Sequence, residues 1–316
     1  KPMASVCVLQ LQEEGKLSIE DPVEKHLPEF KGQWMIEKRE GGKLILKRPA
    51  RAITIRDLLT HTAGLANTST PRTESTLGEL VMSYSKTPLN FEPGSKWSYS
   101  NAGINTLGRI VEVVSGIPFA DFLQKRVLDP CGMKDTTFWP TSAQAKRVAK
   151  SYRPDKNGEL QQVEVRFLAG GISNRKRTPY PAGGLYSTAG DVTLFYQMML
   201  NGGVLDDARI LGRRTVDLMT INHLQPESMP FQISRTMSGF TKGYGFGLGF
   251  AVMTDLAEST AMGSEGEYNW GGAATTFFWV DPQEHLIGIL MTQFMPMYHY
   301  NIDREFRILA YQALVD

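Results

Sequence analysis

The feature that most constrains the fold is a change of hydrophobic period near Gly243. Upstream, apolar residues recur at helical spacing. Ile104, Leu107, Ile110, Val111 and Val114 form one stripe, and Phe119, Phe122, Leu123 and Val127 form another. From Gly243 through Tyr244, Gly245, Phe246, Gly247, Leu248, Gly249 and Phe250 the period is two, which predicts one strand whose glycine face meets a close neighbour. Ala273–Val280 and Leu286–Gln293, joined by the turn Asp281-Pro282-Gln283-Glu284, read as an antiparallel hairpin. Asp303–Val315 reads as a closing helix with Phe306, Leu309, Ala310 and Leu314 on one face. Helices first, strands later and a helix last argue for an α+β fold rather than alternating β-α-β units.

Local signals set the boundaries of the helical part. Lys1–Leu17 reads as a helix ended by Gly15. Proline is tolerated only in a first helical turn, so Pro2 predicts a helix that begins about one turn before it, with Lys1 in that turn. Trp34–Glu37 and Lys43–Lys47 read as a small hairpin around Gly41-Gly42. Thr54 caps a helix Ile55–Thr62, with Asp57 placed for a capping box. His61 at its end reads as a structural imidazolium that bonds carbonyls and suits the helix dipole. A polar loop Asn67–Thr76, a helix Leu77–Ser85, a helix Ile104–Ser115 stopped by Gly116, and a helix Pro118–Leu128 follow. Ser142–Arg177 is polar and irregular; Ser187 or Thr188 then caps a helix Asp191–Asn201, and Arg213–Asn222 is another helix.

Composition excludes several function classes. At 316 residues and 41% hydrophobic, the chain is long enough for a sizeable core in two lobes around one cleft. A net charge of +1 implies no nucleic acid and no anionic membrane surface as partner. No apolar run reaches the ~18 residues of a transmembrane segment. Two cysteines, Cys7 and Cys131, make neither a zinc site nor a disulfide framework. The glycine-rich run after Gly243 is not Gly-x-Gly-x-x-Gly and sits in no strand–helix unit, so it does not read as a phosphate loop.

Chemistry concentrates in Glu92-Pro93-Gly94-Ser95-Lys96-Trp97-Ser98-Tyr99-Ser100-Asn101-Ala102-Gly103. Pro93 and Gly94 make a turn, and Tyr99 and Asn101 fall at the mouth of a loop-to-helix junction, where a phenol and a carboxamide can address one small molecule. A phenol ionises near pH ~10 and serves as a base only where a cation lowers that value. Lys1 is the candidate cation. Ser-x-x-Lys occurs at Ser83–Lys86 and Ser173–Lys176, but Ser83 lies inside a helical pattern and Ser173 beside the basic run Arg175-Lys176-Arg177, so neither reads as a nucleophile. No Gly-x-Ser-x-Gly elbow is present.

These residues together resemble the serine β-lactamase-related hydrolases: class C β-lactamases, D-alanyl-D-alanine carboxypeptidases and family VIII carboxylesterases. That family carries Ser-x-x-Lys, Tyr-x-Asn, and a Lys/His/Trp-x-Gly triplet on a strand. Lys1, Tyr99-Ser100-Asn101 and Trp270-Gly271-Gly272 match these in order. Leu58–Leu65 and Ala182–Asp191 extend the likeness over nearly the whole chain. The resemblance implies one catalytic domain over 1–316, a helical lobe over about 50–225 and a sheet part over about 240–316, with the cleft between them. It places a nucleophilic serine three residues before Lys1, outside the sequence, and so implies a longer protein, since a start at Lys1 would leave the central sheet with a bare edge. It also implies acyl-enzyme chemistry without metal or cofactor. Lys1 or Tyr99 takes the serine proton, the choice being open, while Asn101 bonds Lys1 and the substrate carbonyl. Ala273 N–H completes an oxyanion hole beside Gly271 and Gly272. Trp270 cannot pair with a substrate carboxylate, which points to small neutral esters; amide or β-lactam hydrolysis, and a non-catalytic binding module, are the alternatives.

Overall fold

The first helix, α1 (Pro2–Glu13), is apolar on every side and accordingly buried from Ala4 through Leu11. Its one buried amide, Gln10, donates Nε2 to the carbonyls of Arg126 and Ile210 at 3.0 Å each, while its Oε1 accepts no hydrogen bond from the protein. The computed structural model describes residues 1–67, 74–165, 171–229 and 242–315. Residues 68–73 of the polar loop, 166–170 of the irregular stretch and 240–241 and 316 of the sheet part lie outside them.

After α2 (Val23–His26), β1 (Met35–Glu40) and β2 (Lys43–Lys47) pair around Gly41 and Gly42, both at positive φ. The helices α3 (Ile55–Leu59) and α4 (Leu77–Ser85) start at Thr54 and Thr76, each closing a reciprocal capping box with Asp57 and Glu79. Helix α5 (Asn101–Ser115) begins three residues earlier than its apolar stripe predicts, because the Ser100 hydroxyl accepts the Gly103 N–H, and it stops at left-handed Gly116. Helix α6 (Phe119–Leu123) runs into a π segment, Gln124–Leu128. The stretch expected to be irregular holds α7 (Ser142–Ala145) and a hairpin of β3 (Ser151–Pro154) and β4 (Leu160–Val163). Neither strand has a buried face, so no alternation marked them. Helix α8 (Ala189–Leu200), capped by Thr188, the short pair β5 (Val204–Leu205) and β6 (Ala208–Arg209), and α9 (Arg213–Met219) complete this part.

A five-stranded antiparallel sheet follows, of β7 (Tyr244–Phe246), β8 (Ala251–Met253), β9 (Tyr268–Gly272), β10 (Thr276–Asp281) and β11 (Leu286–Met291), in the order β11-β10-β9-β8-β7. The run of alternating glycines is not one strand. It folds back after Phe246, so that Phe246 pairs with Ala251 and Tyr244 with Met253. The glycines do face close neighbours: a Cβ at Gly247 would overlap the Met219 carbonyl, and one at Gly249 (φ +105°) would come within 2.5 Å of Ser5 Oγ. Alternation along β10 sends Phe278 to one face, stacked 3.8 Å from Tyr196 of α8, and Trp279 to the other, against Phe306 and Tyr311 of α10 (Ile302–Gln312).

Helix α10 corrects a second expectation. Leu309 is 64% exposed and Leu314 41%, while Arg307 is buried. Arg307 pairs with fully buried Glu267, and Tyr311 donates to Asp281 at 2.7 Å, so these polar contacts join Phe306, rather than the whole apolar stripe, in meeting the sheet. With helices on both faces of an antiparallel sheet and a helical part beside it, the fold is α+β.

Candidate active site

The cap at Ser100 decides the geometry. It places Asn101 in the first turn of α5 and leaves Tyr99 outside the helix, just before the extended Ser100. From there the Tyr99 hydroxyl donates to Asn101 Oδ1 at 2.9 Å. Lys1 precedes α1; its carbonyl accepts the Ser5 N–H at 3.0 Å, and its ammonium lies 5.1 Å from the Tyr99 ring centroid. Lys1 Nζ donates to the Ala182 carbonyl at 2.6 Å. Ammonium, phenol and carboxamide all line one cavity of about 860 Å³, together with Gly271, Gly272 and Ala273.

Trp270 stands next to Tyr99, the two rings 6.0 Å apart and nearly parallel. The triplet Trp270-Gly271-Gly272 ends β9, and Ala273, expected to begin the next strand, starts the turn to β10. Thr275, at φ 60°, closes this three-residue loop by donating its N–H to Gly272 O. Both glycines are crowded by side chains across the strand. A Cβ on Gly271 would sit 3.0 Å from the Phe277 ring, and one on Gly272 would overlap Thr276 Oγ1, the cross-strand partners of each.

His61 is buried, but not as an imidazolium capping a helix. Helix α3 ends at Leu59, and His61 turns to φ 58°, sending its ring inward between Trp97, Tyr99 and Phe246 at centroid distances of 5.6, 5.1 and 5.2 Å. Burial, and then the Lys1 ammonium, push its pKa down to about 3. Its Nδ1 accepts the Ser100 N–H at 3.2 Å, so the neutral ring carries its proton on Nε2.

Several residues at the site carried no signal in the motifs. Asn105, buried on α5, accepts the Ala182 N–H on Oδ1 and donates Nδ2 to the Tyr84 hydroxyl, at 3.0 and 3.1 Å. One turn on, Gly108 leaves room for Pro181, whose ring a Cβ there would overlap. Together they seat the segment whose carbonyl receives Lys1. Asn67 donates Nδ2 to Tyr99 O at 2.9 Å and accepts the Asn101 N–H on Oδ1 at 2.8 Å. A buried asparagine and a glycine at i and i+3 in an otherwise apolar helix mark the first pair; Asn67 looked like any loop residue.

Other nucleophile candidates are spoken for. Ser83 Oγ donates to Leu80 O and Ser173 Oγ to Pro140 O, both at 2.6 Å. The Cys7 thiol is pushed far up by burial and that of Cys131 up to about 11, so neither supplies a thiolate. Among the described residues no cluster of His, Cys, Asp and Glu could hold a metal ion, and no helix is long and apolar enough to cross a membrane.

An antiparallel sheet between helices, and a cleft where a lysine at the head of one helix meets Tyr-x-Asn at the head of another, define a β-lactamase-like protein. The chain belongs to the Beta-lactamase family, whose description matches residues 1–313. Among its relatives, Protein Rv1367c of Mycobacterium tuberculosis is 33% identical over 94% of this chain and 76% of its own length. A lovastatin esterase of Penicillium rubens is 29% identical over 92% of this chain and 76% of its own. In fold the chain is similar to simvastatin synthase (LovD) of Aspergillus terreus, with a TM-score of 0.82, 22% identity, and coverage of 99% and 82% of the two chains.

Proposed function

We propose that the protein is a serine hydrolase that works through an acyl-enzyme on small neutral esters. The observation that carries this reading is the meeting of Lys1, Tyr99 and Asn101 on one cavity beside Trp270. The nucleophile is assigned to a serine one helical turn before Lys1, on the same side of the helix. Its oxygen bonds the acyl carbon, its proton passes to the Lys1–Tyr99 pair, and that proton leaves with the alkoxide as alcohol. Water then takes the acyl group by the same steps in reverse order. Asn101 orients the pair and the acyl carbonyl, and the Ala273 N–H supports the oxyanion.

Substrate class follows from position 270. An ammonium or imidazolium there would pair with a substrate carboxylate; an indole offers an apolar wall and no such charge. An esterase among the relatives agrees with a neutral ester. The test uses the protein expressed from its whole reading frame, with p-nitrophenyl butyrate and a chromogenic cephalosporin offered in parallel. Ester turnover at least about a hundredfold above cephalosporin turnover is expected. Equal or higher cephalosporin turnover would move the assignment to amide chemistry, and no turnover of either would remove it.

A further inference from the structure

Tyr99 belongs to no strand, yet the chain is tied on either side of it. The Ser98 N–H donates to the His61 carbonyl at 2.9 Å. The Tyr99 carbonyl accepts Asn67 Nδ2 at 2.9 Å, the Ser100 N–H donates to His61 Nδ1 at 3.2 Å, and the Asn101 N–H donates to Asn67 Oδ1 at 2.8 Å. Four backbone groups between Ser98 and Asn101 are thus held by two residues. The Asn67 carboxamide bridges residues 99 and 101 as the peptide of a neighbouring strand would. His61 reaches the same segment twice, once with its main chain and once with its ring.

We propose that His61 and Asn67 are positioning residues that set the place of the Tyr99 hydroxyl, and that they act on turnover rather than on substrate binding. The proposal rests on the hydrolase reading above. With the backbone held on both sides, the phenol has only its own two torsions left, and the Asn101 bond and the His61 and Trp270 rings restrict those. His61 does this as an uncharged acceptor. A protonated ring could not accept the Ser100 N–H and would set a second cation beside Lys1. A displacement of the phenol by about 1 Å is enough to lower a rate on the order of a hundredfold.

The test compares Asn67→Ala, His61→Leu and His61→Asn with the parent protein, all expressed from the whole reading frame, by kcat and KM for p-nitrophenyl butyrate. Asn67 is exposed, so Asn67→Ala keeps the fold even if His61→Leu does not. Asn67→Ala should lower kcat about a hundredfold with KM within about threefold. His61→Asn, whose Oδ1 can replace Nδ1 as acceptor, should recover at least about tenfold over His61→Leu. An unchanged kcat in Asn67→Ala, or a loss carried mainly by KM, overturns the proposal. If the parent itself shows no turnover, the hydrolase reading fails instead. The clamp is then judged by the ¹³Cζ resonance of Tyr99, assigned with Tyr99→Phe: a shift in Asn67→Ala supports it and an unmoved resonance overturns it.

Discussion

Trp270, Gly271 and Gly272 are held by the ladder between β9 and β10, where each residue's place is set by backbone bonds to its partner across the strand. Tyr99 and Asn101, which line the same cavity as the two glycines, are held by side chains: Ser100 as cap, Asn67 and His61 as clamps. The difference separates what each wall can tolerate. A ladder is indifferent to most side chains, apart from glycines crowded by their partners, so the residue at position 270 can change chemistry without moving the wall. A segment tied by particular polar side chains loses its geometry with them. Specificity is therefore expected to reside on the sheet side and the proton path on the helical side.

The largest effect expected is on the helical side. Tyr99→Phe and Lys1→Met should each lower kcat about a thousandfold, with small changes in KM, because each group acts in the transition state. Unchanged turnover in Tyr99→Phe would remove the phenol from the mechanism and break the contrast between the walls.

A second expected effect is on stability and reads the clamp directly. His61 has its folded-state pKa lowered to about 3, chiefly by burial, against an unfolded value of about 6.5. Between these values the unfolded chain binds the proton and the folded one does not, so this contribution is complete above pH ~6.5 and is lost as pH falls. About 2–3 kcal/mol should be gone by pH ~4.5. His223, also lowered by burial, adds to the slope in the same direction. Guanidinium unfolding from pH 7 to 4.5 should therefore show a shallower slope in His61→Asn than in the parent; equal slopes would mean that His61 is not held neutral.

The smallest effect sharpens the sheet side. Trp270→Lys should leave the thermal midpoint within a few degrees of the parent and lower KM for a carboxylate-bearing ester about tenfold, the worth of one charge-assisted bond. A collapse of stability instead would show that the indole supports the strand rather than the substrate.

Legibility in the sequence followed the range of the forces involved. Helix starts at Thr54 and Thr76 and the stop at Gly116 were readable because each depends on residues within one turn. The hairpin of β10 and β11 was readable from its period and turn, and the meeting of Lys1 with Tyr99 only through resemblance to a family. What escaped was decided at long range. The buried face of α10 includes the Arg307–Glu267 pair, forty residues apart, which no apolar stripe announces. The glycines of the reversing run are crowded by Ser5 and the Met219 carbonyl, and both lie in other elements. His61 looked like a helix end because the chain's turn to positive φ at that residue is invisible in its neighbours' types, and Asn67 because its bonds reach thirty-two and thirty-four residues away.

The most direct measurement is intact-mass and peptide mapping after reaction with a fluorophosphonate, on the protein expressed from its whole reading frame. One adduct is expected, on a serine three residues before Lys1, and it should be strongly reduced in Lys1→Met. No adduct, or one elsewhere in the chain, would contradict the assignment of this cleft to acyl-enzyme chemistry.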